Sequence, residues 1–437
     1  MFSNRHLWLG PNSIPIKILK LISPTASTIF SSIINECFQT GTYPSCLKKA
    51  CVKPLHKKNS RLEVGNYRPI SLLSNVNKIF EKVIHTRLTD FFEKNNIFFK
   101  NQFGFREKHN TSHALIALTE LVRQSFDKNE FAVGVFIDLQ KAFDTVDHRI
   151  LLEKLKHCGV RGVANDILHS YLSQRTQYID IKGTESKATL IKHGVPQGSV
   201  LGPLLFSIYI NDLHKSIEHS TAIHFADDTT LLCQDKSLKE INRKVNRDLA
   251  LLVHWLRANK ISLNASKTEI ILFRTKYKTF SKNLNFRLSG QKIEPSDYTK
   301  YLGVLIDKHL SWDHQLNSLN LKLSRSVGIL AKLRHYLNYK TLLAVYHATF
   351  DSHINYCIQT LGFITSESFE RLEILQRKAL RLMHFKGPRE HTLPLFVNSR
   401  ILPVRQKLKL KNCLFAFDHM KGNLPKYFSN FLRSSQT

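Results

Sequence analysis

The chain has 437 residues, 42% of them hydrophobic, which is enough for more than one compact lobe with its own core. Its 64 Lys and Arg against 34 Asp and Glu give a net charge of +30, which favours a polyanionic partner, above all nucleic acid. No apolar run is long enough to span a bilayer, and the amino terminus lacks the apolar core of a signal peptide.

The same features predict an intracellular protein of the nucleus and cytoplasm. An acidic membrane surface is the alternative polyanion, but no basic amphipathic helix with an aromatic face is evident. The seven Cys show no paired or zinc-ligand spacing, so we expect free or buried thiols in a reducing compartment.

The first informative elements surround a proline. Helical spacing from Ile18 to Phe38 is followed by a segment that favours a strand, Ala50–Leu55. Pro69 biases Arg68 toward extended backbone, so we expect its guanidinium to stand off a strand or loop. Apolar residues at three- and four-residue spacing from Val76 to Leu88 then predict an amphipathic helix.

A buried strand is predicted at Phe131–Asp138, because the run is apolar until its last residue. A carboxylate that closes a buried strand costs free energy unless it is paired or bound to metal, so Asp138 is a candidate metal ligand. Asp144, with Asp147 three residues later, matches the capping pattern of a helix start and is better explained by structure.

A rigid loop is predicted at His193–Ser199. It has two Gly and one Pro around Gln197, a composition that lets another backbone approach closely. A helix with apolar residues from Leu204 to Leu213 follows it.

Asp227 and Asp228 lie between two apolar runs, which predicts a tight β-hairpin. Adjacent carboxylates repel each other, and a divalent cation such as Mg²⁺ would remove that conflict. The alternative is a solvated turn, where Asp is common.

The elements then fit one sheet. A helix through Leu238–Leu256 and a strand at Thr268–Phe273 complete the order strand, helix, helix, hairpin, helix, strand, which predicts a split βαβ sheet. The end of the first strand would then lie beside the hairpin, so Asp138, Asp227 and Asp228 would meet and hold two metal ions.

Taken together, these motifs resemble the reverse transcriptases of non-LTR retrotransposons of the jockey-like type. The matching segments, in order, are Asn66–Leu72, Gln102–Arg106, Phe136–Asp144, Gly194–Pro203, Phe225–Asp228, Asn264–Thr268 and Tyr301–Val304.

The resemblance implies an α+β right-hand polymerase with fingers, a palm built on the split βαβ sheet and a helical thumb. It divides the chain into an N-terminal helical extension of the fingers (1–50), fingers and palm (51–305), and thumb with C-terminal region (306–437). The implied activity is RNA-directed DNA synthesis on an RNA template from a DNA primer, with deoxynucleoside triphosphates and two Mg²⁺ ions, or Mn²⁺ in their place.

The resemblance also assigns roles to residues. The implied metal ligands are Asp138, Asp227 and Asp228, with Lys267 as the proton donor to pyrophosphate. The implied nucleotide-binding residues are Arg68, Phe143, Gln197, Gly198, Phe225 and Ala226, and Phe143 would crowd the sugar 2′ position. The implied primer-grip hairpin is Tyr301, Leu302 and Gly303.

Two departures from the family pattern stand out. Asn12-Ser13 replaces the usual Asp-Gly, and Phe225 replaces a commoner Tyr. Such elements also encode an upstream endonuclease, for which there is no room before Gly10, so a truncated or domesticated copy is expected.

Bland alternatives exist for several residues. Phe143 and Phe225 could be ordinary core residues, and Arg68 and Lys267 could be solvated cations. The helical patches after Asp307 suit a thumb that grips duplex, although an unrelated basic helical domain would look the same.

Three functions follow from these readings. The first is an active reverse transcriptase, and the second is a relic that binds nucleic acid without polymerising. The third, an RNA-templated RNA polymerase, is disfavoured by Phe143, because RNA synthesis needs room for the 2′-OH.

Overall fold

The computed structural model describes residues 14–278, 284–356, 358–361 and 365–429. The Asn12-Ser13 turn and Cys357 lie outside these residues. In the described part of the chain, no helix is both long enough and apolar enough to cross a membrane.

Helices account for much of the described chain. They are Ile16–Thr40 (α1), Asn75–Lys94 (α2), Thr111–Asp127 (α3), His148–His157 (α4), Val163–Leu172 (α5), Leu201–Tyr209 (α6), Leu238–Ala258 (α7), Asp313–Leu333 (α8), Tyr339–Tyr346 (α9), Ser352–Asn355 (α10), Ser366–Met383 (α11), Leu393–Ser399 (α12) and Val404–Met420 (α13).

The strands are shorter. They are Lys49–His56 (β1), Tyr67–Leu72 (β2), Phe131–Ile137 (β3), Leu139–Gln140 (β4), Thr176–Ile181 (β5), Thr184–Glu185 (β6), Thr189–Leu190 (β7), Thr221–Phe225 (β8), Asp228–Asp235 (β9), Ser262–Leu263 (β10), Glu269–Phe273 (β11), Phe286–Leu288 (β12), Gln291–Ile293 (β13), Tyr298–Tyr301 (β14) and Val304–Asp307 (β15).

Polar side chains fix where the helices begin. Ser74 accepts a hydrogen bond from the backbone N–H of Asn77 at 3.1 Å and caps α2, and Asn110 caps α3 in the same way. The expected cap of α4 is corrected by one turn: Asp147, not Asp144, accepts from the backbone N–H of Ile150. The residues before Asp147 form turns, so the Asp144–Asp147 spacing is not a capping box.

The chain packs as two compact units, each made of separated segments. The first unit comprises Met1–Phe105, Leu139–Ser216 and Leu251–Asn264, and the second comprises Arg106–Asp138, Ile217–Ala250 and Ala265–Thr437.

The first unit contains a sheet with strand order β2-β1-β5-β6, in which β7 also pairs with β5. Strand β1 is antiparallel to β2 and parallel to β5. Pro69 lies in β2, and the edge position of β2 tolerates a residue without a backbone N–H. A second, two-stranded sheet joins β10 to β4.

The second unit is built on an antiparallel sheet with strand order β11-β3-β9-β8. Every residue of β3 is buried, as its continuous apolar sequence predicts, and α3 packs on this sheet. The later helices pack on one another, with α11 contacting α8, α9 and α13. The end of β3 therefore lies beside the β8–β9 hairpin, which is the arrangement expected from the order of elements.

Candidate active site

The hairpin between β8 and β9 has a two-residue turn. Phe225 pairs with Asp228, so Ala226 and Asp227 form the turn, and Ala226 has a left-handed φ of 57°. Such a backbone is disfavoured for residues with a Cβ, and it persists here because both flanking strands are paired. The turn holds Asp227 and Asp228 at the end of the sheet.

Asp138 comes to the same end of the sheet. Ile137, the last residue of β3, pairs with Thr229 in the antiparallel β3–β9 ladder, so Asp138, which follows the strand, is in line with Asp228. The pKa of the Asp228 carboxyl group is raised to about 6, mainly because the surrounding protein desolvates it and further because Asp227 and Asp138 carry like charges. The three predicted carboxylates thus lie at one end of the sheet, close enough to interact electrostatically.

These side chains fit a divalent cation by their chemistry. Carboxylate oxygens are the ligands that Mg²⁺ prefers, and the repulsion felt by Asp228 is what a bound cation would relieve. Within the residues that the structure describes, no three His, Cys, Asp or Glu side chains converge as a metal-ligand set. The fit therefore rests on charge and donor type.

Lys267 ends a 3₁₀ turn, Ala265–Lys267, immediately before β11. Its Nζ lies 3.6 Å from Oδ2 of Asp138, and 63% of the Lys267 side chain is exposed. Because β11 pairs with β3, with Glu269 opposite Phe136, the turn is held beside the end of β3. The cation therefore lies next to the carboxylate cluster.

The hairpin of β14 and β15 contains the predicted primer-grip residues. Tyr301 pairs with Val304, and the turn residues Leu302 and Gly303 both have positive φ, 45° and 82°. Tyr301 is 3% exposed, and its ring centroid lies 5.4 Å from that of Phe136 on β3. This packing ties the hairpin to the strand that precedes Asp138, and the buried Tyr301 hydroxyl has a raised pKa because of that burial.

In the first unit, Phe143 is half-buried between two rings. It stacks on Phe206 with centroids 4.8 Å apart and meets Phe105 edge-on at 6.2 Å. Its backbone carbonyl accepts a hydrogen bond from the N–H of Val195 at 2.8 Å, so Phe143 and the predicted Gln197 loop lie side by side.

The Gln197 loop needs its glycine. The carbonyl of Gln197 accepts from the N–H of Ser71 on β2 at 2.7 Å, and a Cβ on Gly198 would lie only 2.6 Å from the Ser71 carbonyl oxygen. The Gln197 side chain donates to Asp144 at 3.0 Å. Burial raises the pKa of Asp144, and the Gln197 hydrogen bond partly offsets this effect. The predicted close approach of a second backbone is confirmed.

Arg68 lies on β2, opposite Leu55, and is exposed. The prediction that Pro69 holds it on extended backbone is confirmed. The first unit thus contains Arg68, Phe143, Gln197 and Gly198, whereas the second contains the aspartates, Lys267, Phe225, Ala226 and the β14–β15 hairpin.

The sequence reasoning missed Glu81, a fully buried carboxylate on α2. Together with Asn77, Phe80, Ile84 and Leu88 it forms the buried face of that helix. A carboxylate at core spacing in an amphipathic helix was the available signal, because such a residue must find partners inside the protein.

Comparisons with known proteins agree with these observations. The reverse transcriptase (RNA-dependent DNA polymerase) family profile matches residues 55–306. The probable RNA-directed DNA polymerase from transposon BS of Drosophila melanogaster is 32% identical over 378 residues, which are 83% of this chain and 41% of that protein. The RNA-directed DNA polymerase from the mobile element jockey of the same species is 28% identical over 384 residues, 85% of this chain and 41% of that protein. Among solved structures, an apo telomerase from Candida tropicalis has 13% identity and a TM-score of 0.48, over 83% of this chain and 63% of that one.

This chain spans about 41% of the length of the curated relatives it matches. The family match covers more than half of the 437 residues and includes the three aspartates, Phe143, Gln197 and Lys267. The predicted α+β right-hand polymerase fold and the resemblance to jockey-like elements are confirmed. The chain belongs to the reverse transcriptase (RNA-dependent DNA polymerase) family.

Proposed function

We propose that this chain is an RNA-directed DNA polymerase that extends a DNA primer on an RNA template. The observation that carries the proposal is that Asp138, Asp227 and Asp228 lie at one end of the β3–β9 sheet, where desolvation and, to a lesser extent, the like charges raise the pKa of Asp228. A cluster of like charges lowers the stability of the folded chain, and such clusters are typical of catalytic sites. Nucleotidyl transfer is the reaction that would need these three carboxylates.

In this proposal, Asp138, Asp227 and Asp228 hold two Mg²⁺ ions, for which Mn²⁺ could substitute. When bound, the ions would stabilise negative charge on the attacking 3′ oxygen and on the departing pyrophosphate. The chain supplies an anionic, partly desolvated cluster of carboxylates that makes cation binding favourable.

The other residues bind and orient the reactants. Lys267, with its Nζ 3.6 Å from Asp138, is placed to donate a proton to pyrophosphate. Arg68 presents an exposed guanidinium to the triphosphate, and Gln197 with Gly198 offers a rigid surface for the base. Phe143 excludes the ribose 2′-OH, and Phe225 and Ala226 line the nucleotide side of the hairpin.

Tyr301, Leu302 and Gly303 hold the primer end. The turn at Leu302 is braced by Tyr356, whose hydroxyl donates to the Leu302 carbonyl at 2.6 Å. A fixed hairpin keeps the primer 3′ oxygen in a reactive position.

The test is primer extension on an RNA template with purified protein, deoxynucleotides and Mg²⁺. The unmodified protein is expected to extend the primer, whereas Asp227→Asn and Asp228→Asn should lower the rate by at least about 100-fold, because charge stabilisation in the transition state is lost. Binding of the RNA–DNA hybrid should stay within about twofold, since grip comes from phosphate contacts.

Either of two results would contradict the proposal. An Asp228→Asn protein that extends primers at the unmodified rate would rule out the metal-ligand assignment. A protein that binds hybrid but never extends it, with Mg²⁺ or Mn²⁺, would be the nucleic-acid-binding relic.

A further inference from the structure

A buried carboxylate lies outside the proposed chemistry. Glu81 of α2 is 0% exposed, and both of its oxygens are hydrogen-bonded. Oε1 accepts from the amide of Asn77 at 2.8 Å and from the hydroxyl of Tyr171 at 2.8 Å, and Oε2 accepts from the backbone N–H of Val200 at 2.5 Å. Three donors on one buried carboxylate make its position well determined.

The bond to Val200 lies at the start of α6. Ser199 caps this helix, because its Oγ accepts from the backbone N–H of Gly202 at 2.9 Å, and Glu81 accepts from the N–H of the next residue, Val200. A carboxylate also suits this place because the N-terminal end of a helix carries partial positive charge. Glu81 therefore anchors the start of α6.

Val200 directly follows the Gln197 loop. Gln197 and Gly198 are three and two residues upstream, and Ser199 closes the turn by donating from its hydroxyl to the Pro196 carbonyl at 2.8 Å. On its other side, the loop is fixed by the bond from Ser71 to Gln197. The loop is thus fixed by hydrogen bonds at two points, one to Ser71 of β2 and one from Val200 to Glu81.

The network behind Glu81 is rigid. Tyr43 donates to Oδ1 of Asn77 at 2.7 Å, and the rings of Tyr43 and Tyr171 meet edge-on at 5.1 Å. The buried guanidinium of Arg175 lies 4.7 Å from the Tyr171 ring centre and donates to the Tyr171 carbonyl.

We propose that Glu81 is a positioning residue for the nucleotide-binding loop: its carboxylate holds Val200 and thereby fixes Gln197 and Gly198 for the incoming deoxynucleotide. This inference rests on the proposed polymerase function. It assigns Glu81 no contact with substrate, so its effect should appear in nucleotide binding and not in hybrid binding.

The experiment compares Glu81→Gln with the matched control Tyr43→Phe, which removes a hydroxyl from the same network at a residue that does not contact Val200. In Glu81→Gln, the KM for deoxynucleotide should rise about tenfold, because the substituted amide keeps one oxygen for three donors and turns an N–H toward the others. The Kd for RNA–DNA hybrid should stay within about twofold in both variants, and Tyr43→Phe should leave the KM for deoxynucleotide within about twofold.

Amide hydrogen exchange in the substrate-free protein gives a readout that needs no activity. Residues 196–202 should exchange at least about tenfold faster in Glu81→Gln and at the unmodified rate in Tyr43→Phe. If the unmodified protein makes no DNA, the proposed function fails while this measurement still tests the hold of Glu81 on the loop.

The inference is overturned if Glu81→Gln folds with unchanged KM for deoxynucleotide and unchanged exchange at 196–202. If Glu81→Gln does not fold, Tyr171→Phe replaces it, because that change removes one of the three donors to Glu81. Tyr171→Phe should then raise the KM for deoxynucleotide more than Tyr43→Phe does, and equal values would overturn the inference.

Discussion

Ala226 and Gly198, two backbone positions of the candidate site, lie at positive φ. Ala226 has a φ of 57° in the two-residue turn of the β8–β9 hairpin, a conformation that costs free energy for any residue with a Cβ. Gly198 has a φ of 118° and lies against the Ser71 carbonyl, so a side chain there would be strained and would clash. The Gln197 loop therefore depends on a glycine, and the position of Asp227 and Asp228 depends on a strained turn.

Replacing Phe143 should change sugar selection. In Phe143→Val, the use of ribonucleotides relative to deoxynucleotides should rise at least about tenfold, because steric exclusion of the 2′-OH is lost with the ring. Phe105→Ala is the matched control, since Phe105 touches Phe143 edge-on and its loss leaves the ring of Phe143 in place. Single-nucleotide incorporation with each sugar measures the ratio, and an unchanged ratio in Phe143→Val would make Phe143 a packing residue.

Gly198→Ala should disturb the loop, whereas Gly183→Ala should not. Both glycines have positive φ, but only at Gly198 would a Cβ meet another backbone, 2.6 Å from the Ser71 oxygen. We expect Gly198→Ala to raise the KM for deoxynucleotide severalfold and to destabilise the protein by about 2 kcal/mol. Gly183→Ala carries the backbone strain of a positive φ without the clash. Comparing the two variants by steady-state kinetics and urea denaturation therefore separates the effect of the clash from that of the strain. Equal kinetics would show that the close approach is unimportant.

At the scale of elements, local sequence was sufficient to predict a strand or helix where its pattern fits only one kind of secondary structure. The continuous apolar run of β3, the hairpin at Asp227 and the helix of Val76–Leu88 were all predicted, because periodicity and turn chemistry act over a few residues. The start of α4 was misplaced since Asp144 and Asp147 are equally good local caps, and only packing selects Asp147.

Long-range partners were harder to foresee. The pairing of β5 with β1 joins segments far apart in sequence, and the sequence of neither strand specifies its partner. Glu81 was missed for the same reason, because its partners Tyr171 and Val200 belong to other elements. The assigned roles of the site residues and the domain boundaries at 50 and 305 stay predictions.

The contact of α3 with the C-terminal segment should respond to acid. His113 is 8% exposed and lies between the rings of Phe415 and Phe428, with centroids 6.1 and 5.6 Å away. Burial lowers its pKa to about 4. Between about pH 4 and the unfolded value near 6.5, the unfolded chain binds more protons, so stability falls as pH falls through this window.

The expected contribution is about 2 kcal/mol of unfolding free energy lost between pH 7.5 and pH 5. Urea denaturation at the two pH values measures it, and His113→Gln, which cannot titrate, should lose correspondingly less. If both proteins lose the same stability, His113 does not account for the acid sensitivity.

At the scale of the whole molecule, the net charge of +30 favours the binding of a polyanion. If the charge serves the RNA–DNA hybrid, log K should fall with log salt at a slope of roughly −5 for about six phosphate contacts, with little dependence on sequence. The exposed cations of α8 are candidates for such contacts, so Lys322→Gln or Arg325→Gln should each reduce the slope by about one.

Anionic liposomes, titrated in parallel over the same salt series, are the comparison. The hybrid should bind more tightly at every salt concentration. A flat salt response for the hybrid, or equal binding to liposomes, would mean that the positive charge serves another surface.

The interleaving of the two units has a consequence for synthesis on the ribosome. The segment Leu251–Asn264 completes the first unit, and β3 must wait for β9 and then β11 before both of its edges are paired. An emerging chain therefore presents the apolar β3 strand long before its partners have been translated. Because such non-local pairing is slow, the nascent protein is expected to need chaperone protection until Phe273 has left the exit tunnel.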